Sequence, residues 1–152
     1  MENLEIRDAT LNDLPTLLNF EQALIAAERP FDPTIKEDPV SYYDIRQFIE
    51  AKDVKVVIAV VNDEIVASGY ALAKKGRQYL DHSHYGYLGF MYTLPGYRGN
   101  GINQKIVQSL KQWCHANGLK EIRLTVYDDN LPAIKAYEKA GFKKHIIEMR
   151  IV

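Results

Sequence analysis

Cysteine is nearly absent from this sequence, since Cys114 is the one example among 152 residues. A single cysteine excludes an internal disulfide framework, and together with the four histidines it forms no zinc-ligand spacing. No apolar run is long enough to cross a bilayer, and the opening residues, MENLEIRDAT, are acidic and unlike a signal or transit peptide. These absences predict a cytoplasmic protein without a metal and without a membrane partner.

Charge is almost balanced over the whole chain, at −1, but it is unevenly distributed. Residues 1–50 carry 11 acidic and 4 basic side chains, whereas residues 51–152 carry 9 acidic and 15 basic ones. The acidic part suits a cationic partner and the basic part an anionic one, although both could simply be solvated faces. The sequence has no basic run and no basic-aromatic stripe, so we expect no nucleic-acid partner.

The hydrophobic pattern predicts one α/β domain over residues 1–152, with a mixed sheet and helices on its faces. Gly86 and Gly89 indicate either a bulge with close backbone approach or a crowded sheet face packed with aromatic side chains. Cys114, beside Trp113 on a helical pattern, is expected to be a packing residue. Strands are predicted at 4–7, 55–61, 64–73, 84–94, 120–127 and 142–152, and helices at about 10–27, from 39 onward, at 101–117 and at 130–140.

The stretch LPGYRGNGINQKIVQSL, from Leu94 to Leu110, joins a predicted strand to a predicted amphipathic helix. The unpaired N–H groups and the dipole of a helix N-terminus attract anions, glycine lets a phosphate approach the backbone, and Arg98 adds a charged donor. The stretch lacks the Gly-Lys-Ser/Thr of a P-loop and the third glycine of a Rossmann fingerprint. It therefore predicts another kind of phosphate site, or else a simple turn with a solvated arginine.

Two motifs resemble the GNAT superfamily of N-acetyltransferases. In MYTLPGYRGNGIN, Arg98 and Gly101 match the acetyl-CoA motif Gln/Arg-x-x-Gly-x-Gly/Ala, while Asn103 stands where the family has glycine or alanine. In LTVYDDNLPAIKAYEKAGF, Asn130 and Tyr137 fall at the offsets of the family's next block. The two motifs together cover roughly residues 86–142.

The resemblance implies a mixed, mostly antiparallel sheet that is splayed at its central strands and flanked by about four helices. It also implies acetyl-CoA as co-substrate, with the pantetheine arm in the gap of the sheet and the pyrophosphate on the glycine loop. The residues that it assigns to the cofactor are Met91, Tyr92, Thr93, Arg98, Gly99, Asn100, Gly101, Ile102, Asn103, Gln104 and Asn130.

Tyr137 corresponds to the family's general acid. A phenol with a pKa of about 10 can protonate a leaving thiolate whose conjugate acid has a pKa of about 8.5. The alternative for Tyr137 is a core position, because Ala133 and Ile134 share its stripe. Asn130 is also a good N-cap, so it is expected to cap its helix and to contact the cofactor as well.

The acceptor amine needs a base, since an alkyl ammonium with a pKa of about 10.4 is almost fully protonated at pH 7. Enzymes of this family that acetylate protein N-termini often carry glutamate where this chain has Thr125, which weakens a protein-acetylating interpretation. Candidates for the base are Glu28, Asp32, His82, His84 and Asp128, and each could instead be a solvated or capping residue. The residues predicted to bind the acceptor are Glu28, Phe31, Asp32 and Tyr85, and Tyr42 and Tyr43 are further candidates for the pocket wall.

The sequence therefore predicts an acetyl-CoA-dependent N-acetyltransferase that acts on a primary amine of a small, cationic molecule. Direct attack in a ternary complex is expected, because no residue stands out as a nucleophile for an acyl-enzyme. The alternatives are a protein lysine or N-terminal acetyltransferase and a non-catalytic acyl-CoA sensor. Only ten residues follow Phe142, where the family usually has two strands, so a homodimer that completes the sheet edge is a further hypothesis.

Overall fold

Residues 3–152, which the computed structural model describes, form a five-stranded sheet and four α-helices. The strands are β1 (Leu4–Asp8), β2 (Val54–Val61), β3 (Glu64–Lys75), β4 (His84–Thr93) and β5 (Ile122–Arg123). The helices are α1 (Leu14–Glu28), α2 (Ile45–Glu50), α3 (Ile102–Ala116) and α4 (Leu131–Lys139), and within this range no helix has the length and apolar character to cross a membrane. The strand order is β1-β2-β3-β4-β5, antiparallel except for the parallel pair β4–β5. The predicted mixed, mostly antiparallel sheet with about four helices is confirmed.

Helices cover both faces of this sheet. On one face, α3 packs against β2, β3 and β4 through a stripe of buried side chains at four-residue spacing, as expected of an amphipathic helix. On the other face α1 and α2 bury Leu17, Phe20 and Ile45 against the aromatic side chains of β3 and β4. The stripe of α3 consists of Ile102, Ile106, Leu110 and Cys114, all of them buried.

The two glycines of β4 lie where the sheet is crowded. A Cβ atom on Gly86 would lie 2.6 Å from the Cys114 Sγ of α3, and one on Gly89 would overlap the ring of Tyr70. The bulge of β4 lies beside these glycines, at Phe90, whose φ is 56°. Cys114 is a packing residue as expected, and burial raises the pKa of its thiol to about 11.

The helix predicted from residue 39 begins later, at Ile45, with Asp44 as its N-cap. The backbone N–H groups of Tyr42 and Tyr43 instead donate to Oε2 of Glu21, each at 2.8 Å. Glu21 is buried on α1. In a first helical turn at this point, the N–H groups of Tyr42 and Tyr43 would point along the helix axis, but here the Glu21 carboxylate accepts them. The start predicted from Asp38-Pro39 was therefore wrong.

Two strand predictions were also wrong in extent. The predicted strand 120–127 is reduced to Ile122–Arg123, and residues 143–152 form no strand. A strand needs a neighbour for its backbone hydrogen bonds, and β5 pairs with β4 at only two positions, so the ladder does not continue to the C-terminal segment. The apolar side chains of this segment consequently stay exposed, namely Ile146, Ile147, Met149, Ile151 and Val152.

Candidate active site

The sheet opens between β4 and β5. These strands pair only at Gly86–Ile122 and Tyr87–Arg123, whereas β4 continues along β3 as far as Thr93. One edge of β4 is therefore without a β5 partner from residue 88 onward. At the start of this gap the Tyr87 hydroxyl is hydrogen-bonded to the Thr125 hydroxyl. The predicted splay at the central strands is thus present as a gap beside β4.

Backbone donors of β4 point into this gap. The Leu94 N–H donates to β3 at 2.8 Å, and the Phe90 carbonyl accepts from a β3 side chain at 2.9 Å. Because successive peptide groups alternate in direction along a strand, the N–H groups of Met91 and Thr93 face the gap, while that of Tyr92 faces β3. The Tyr92 side chain is buried at 8% exposure, so of the three predicted contact residues Tyr92 offers the least to a ligand in the gap.

The glycine loop lies between the end of β4 and the start of α3. Gly99 and Gly101 have φ values of 79° and 77°, in the left-handed region that favours glycine. A Cβ atom at either position would meet nothing within 4 Å, so the space beside the loop is open. The Lys105 N–H makes the first bond back to the Gly101 carbonyl, which leaves the N–H groups of residues 102–104 without a helical acceptor. These donors and the helix dipole suit a phosphate group.

Arg98 and Asn100 hold this loop in place. The Arg98 Nε donates to the Thr93 carbonyl at 2.9 Å, and the Asn100 Nδ2 donates to the carbonyls of Tyr97 and Arg98 at 3.2 and 3.3 Å. The remainder of the Arg98 side chain is exposed next to the open space. Arg98 therefore both fixes the loop and adds a cation beside the helix N-terminus.

Tyr137 projects from the last turn of α4 and is only partly exposed. Its ring packs edge-on against Phe142, with centroids 6.0 Å apart, and Asn130 caps the same helix by accepting from the Ala133 N–H at 3.3 Å. Burial raises the pKa of Tyr137 to about 12. The phenol is therefore protonated at neutral pH and has a proton to donate.

The segment after α1 approaches the end of β5 and the C-terminal residues. The Phe31 ring stacks on Tyr127 with centroids 5.7 Å apart and an interplanar angle of 17°. Asp32 accepts from the Arg150 guanidinium at 2.8 Å, and the Tyr127 hydroxyl lies 3.5 Å from its other oxygen. Hydrogen bonds from Thr34 and then from Arg150 hold the pKa of Asp32 well below its usual range. Asp32 is therefore an ionised structural link, with little tendency to take up a proton.

Glu28 is the last residue of α1 and is partly buried. Burial raises its pKa, and the Tyr42 side chain partly opposes that change. The charge of Glu28 also raises the pKa of Tyr137, after the larger effect of burial. The structure thus brings the predicted acceptor residue Glu28 within electrostatic reach of the predicted general acid.

Several other predicted residues lie outside this group. His84 and Tyr85 are at the start of β4, at the opposite end from the glycine loop, and His82 lies just before that strand. Arg123 lies over the Tyr85 ring at 4.0 Å, His82 contacts Asp81 at 2.8 Å, and His84 contacts Ser83 at 3.0 Å, while Asp128 is exposed in the loop before α4.

Sequence reasoning missed three residues at this site, namely Tyr87, Tyr127 and Arg150. The position of Tyr127 could have indicated a site residue, because it is an aromatic residue at the end of a predicted strand, directly before the Asn130 motif. Nothing in the sequence around Arg150 indicates its role, since its partner Asp32 is 118 positions away.

Comparison with known proteins agrees with this geometry. Thialysine N-epsilon-acetyltransferase from Mus musculus is 36% identical over 55 residues, which are 36% of this chain and only 32% of that protein. N-alpha-acetyltransferase 30 from Schizosaccharomyces pombe is 28% identical over 108 residues, 71% of this chain and 70% of that protein. The crystal structure of a predicted acetyltransferase with acetyl-CoA from Clostridium acetobutylicum has a TM-score of 0.72 at 20% identity, and the match covers 98% of this chain and 96% of that one.

The match to the family as a whole is broader than the match to either relative. The sequence model of the acetyltransferase (GNAT) family matches residues 21–142, which include the gap in the sheet, the glycine loop and the helix of Tyr137. This chain belongs to the acetyltransferase (GNAT) family.

Proposed function

We propose that this chain transfers an acetyl group from acetyl-CoA to a primary amine of a small, cationic molecule, by direct attack in a ternary complex. The observation that carries the proposal is the continuity of two donor surfaces, the free edge of β4 and the N-terminus of α3. The glycine loop connects them without a break, as a ligand with an extended arm and a diphosphate would require. The cytoplasmic location and the single-domain organisation over residues 1–152 stay predictions.

Each donor surface has a role in this proposal. The loop from Arg98 to Gly101 and the first turn of α3 would hold the pyrophosphate through N–H groups and one guanidinium. The N–H groups of Met91 and Thr93 would bond the pantetheine arm and the thioester carbonyl, whose oxygen gains negative charge during attack. The open space at Gly99 and Gly101 supports this assignment, because side chains there would obstruct the ligand.

The reaction follows from these positions. The lone pair of the neutral amine forms a bond to the thioester carbon, and the carbonyl oxygen takes up the negative charge. As the carbonyl re-forms, the C–S bond breaks, and the thiolate takes the proton of the Tyr137 hydroxyl. The amide product also requires that the acceptor nitrogen lose a proton, and solvent then returns one to Tyr137.

Charge supports a cationic acceptor. Acidic residues outnumber basic ones by 11 to 4 in residues 1–50, which include the predicted acceptor residues Glu28 and Asp32. The mouse relative is named for acetylation of the ε-nitrogen of thialysine. A small molecule with an alkylammonium group is consistent with both observations.

Acetylation of a protein N-terminus is the second candidate, and similarity to N-alpha-acetyltransferase 30 favours it. Thr125 opposes it, because enzymes with that activity often carry glutamate at this position, whereas the Thr125 hydroxyl here bonds Tyr87. Acetylation of protein lysines is the related alternative. A non-catalytic acyl-CoA sensor is less consistent with the chain, since Tyr137 is present.

An assay of free-thiol release separates these functions. Purified protein and acetyl-CoA are incubated with small primary amines in one series and with lysine-containing and N-terminally free peptides in another. Thiol release with the small amines supports the proposal, and release with peptides alone supports a protein acetyltransferase. Binding of acetyl-CoA without release in either series would leave the sensor as the function.

A further inference from the structure

One peptide group of β4, the one that joins Phe90 to Met91, is held in an unusual position. Phe90 has a φ of 56°, in the left-handed region that bulky residues rarely adopt. The register between β3 and β4 shifts at the same point, so that Phe90 and Met91 together lie opposite Gly69. Backbone strain of this kind persists where surrounding contacts maintain it, and it is concentrated at functional sites.

The side chain of Ser68 maintains this position from the neighbouring strand. Its hydroxyl donates a 2.9 Å hydrogen bond to the Phe90 carbonyl oxygen. Ser68 is 1% exposed and Phe90 is 2% exposed, so water does not compete for this bond. A bulge interrupts the regular ladder of backbone hydrogen bonds, and a buried carbonyl that is left without a donor is unfavourable. The Ser68 hydroxyl therefore supplies the Phe90 carbonyl with a donor at the point of interruption.

This hydrogen bond also sets the direction of the Met91 N–H. The Phe90 carbonyl and the Met91 N–H belong to one planar trans peptide group, so they point in opposite directions. Because the carbonyl is held toward β3, the N–H is turned toward the gap beside β4. Of the N–H groups of Met91 and Thr93, which both face the gap, that of Met91 lies farther from the glycine loop. A ligand with its diphosphate on that loop would therefore place the far end of its extended arm near Met91.

The side chains of Met91 and Phe90 are fixed as well. A Cβ atom on Gly69 would lie 2.9 Å from Met91 Sδ and 2.7 Å from Ile106 Cγ2. Met91 thus packs over Gly69 on the side of the sheet that α3 covers, and the missing side chain of Gly69 makes room for it. On the other face, the rings of Phe90 and Tyr43 have centroids 5.6 Å apart. Packing on both faces of the sheet therefore anchors the two residues, while the hydrogen bond fixes the peptide group between them.

We propose that Ser68 is a positioning residue that keeps the Met91 N–H directed at the carbonyl oxygen of the thioester. This assignment rests on the proposed acetyl transfer. The carbonyl oxygen gains negative charge when the amine attacks, and a donor that is already oriented stabilises this charge without rearranging. Ser68 acts at one remove from the reacting atoms, because its hydroxyl is used in the bond to Phe90. Its effect on the reaction passes through one rigid peptide group.

The test compares Ser68→Ala and Ser68→Cys with Ser68→Thr, which keeps the hydroxyl group. Cysteine is close to serine in size, but its S–H is only a weak donor. The matched control is Val61→Ala, which removes buried side-chain atoms at the end of β2, next to the turn into β3.

For each protein we measure kcat and KM with 1,5-diaminopentane or lysine, whichever the wild type acetylates faster. Calorimetry gives the Kd values of CoA and of acetyl-CoA, and thermal unfolding gives Tm. CoA lacks the thioester carbonyl, so its Kd reports on the fold and on the rest of the cofactor site.

We expect Ser68→Ala and Ser68→Cys to lower kcat by at least ~10-fold. Loss of one oxyanion donor costs about 10²–10³-fold, and here the donor is misdirected rather than removed. The KM for the amine and the Kd of CoA should not change, whereas the affinity for acetyl-CoA should fall relative to that for CoA. Ser68→Thr should retain most of the wild-type kcat. Val61→Ala should lower Tm without lowering kcat, which is the result that a merely structural role of Ser68 would give.

The proposal is overturned if the kcat of Ser68→Ala stays within about threefold of the wild-type value, or if CoA binding weakens as much as kcat falls. If Ser68→Ala does not fold, the same two criteria are applied to Ser68→Cys. In these cases the wild-type protein still transfers acetyl groups, and the proposed function stands. If the wild type transfers none to any amine, the proposed function fails and the role of Ser68 fails with it.

Discussion

The Nε atom of Arg98 donates a 2.9 Å hydrogen bond to the carbonyl oxygen of Thr93. Thr93 is the last residue of β4, so this bond ties the glycine loop to the strand edge that faces the gap. Because Nε is used in this bond, the terminal nitrogens of the guanidinium are the atoms left to meet an anion. One side chain thus joins the two surfaces that we assign to acetyl-CoA.

Substitution of Arg98 should separate its two contributions. We expect Arg98→Ala to weaken acetyl-CoA binding by roughly tenfold or more, since a hydrogen bond to a charged group contributes about 1.5–3 kcal/mol. Arg98→Lys keeps the charge but lacks the planar fork, so it should recover only part of the affinity. Calorimetry measures both, with Arg77→Ala in an exposed loop as control. Equal affinity of Arg98→Ala and the wild type would remove Arg98 from the site.

Tyr137→Phe should reduce turnover without affecting cofactor binding. Loss of a general acid typically lowers kcat by about 10²–10⁴-fold, while the phenylalanine ring preserves the packing against Phe142. Tyr79→Phe, at 73% exposure, is the matched control. Steady-state kinetics and the Kd of acetyl-CoA measure the two effects. A kcat within twofold of the wild type would assign Tyr137 to the core instead.

Alkaline pH should destabilise the fold through buried tyrosines. Burial raises the pKa of Tyr70 to about 12, against about 10 in an unfolded chain, and its side chain is only 6% exposed. The stability that depends on the neutral phenol is complete below pH 10 and is lost as the pH rises through about 12, with a total of roughly 2–3 kcal/mol. Urea unfolding at about pH 9 and about pH 11 measures the decrease, and Tyr70→Phe should show less of it. An identical decrease in the variant would be inconsistent with the raised pKa.

The C-terminal segment supports the hypothesis of a homodimer. Ile147 and Met149 are 82% and 88% exposed, and contiguous exposed apolar side chains usually mark an interaction surface. We expect light scattering to give twice the chain mass of 17.4 kDa, and a variant with Ile147→Lys and Met149→Lys to be monomeric. A wild-type mass of 17.4 kDa at micromolar concentration would exclude the dimer.

Local features were predictable from the sequence, and features that depend on distant partners were not. The amphipathic helix α3 and the glycines at both of its ends follow from short-range spacing. The predicted boundaries of this helix were correct within one or two residues. The helix expected from residue 39 failed because Glu21, about twenty residues earlier, takes the backbone donors of Tyr42 and Tyr43. The last two strands failed because strand formation requires a neighbour that no local pattern reveals.

The candidate site follows the same division. The glycine loop and Tyr137 lie in contiguous motifs, so the resemblance to the family assigned roles to them from the sequence, and these roles stay predictions. The grouping of Glu28 with Tyr42, Tyr127 and Tyr137 depends on how α1, α4 and the segment after β5 pack together. Sequence reasoning therefore named Glu28 only as one of five possible bases, and the identity of the base stays a prediction.

The most direct measurement is calorimetric titration of the wild-type protein with acetyl-CoA, beside the double variant Arg98→Ala, Gly101→Val. Gly96→Val is the matched control, since a Cβ there also meets nothing within 4 Å and its φ is not positive. We expect a wild-type Kd of micromolar order, retained in the control and lost in the double variant, where valine fills the open space beside α3. Failure of the wild type to bind acetyl-CoA would contradict the proposed cofactor site and the acetyl transfer that depends on it.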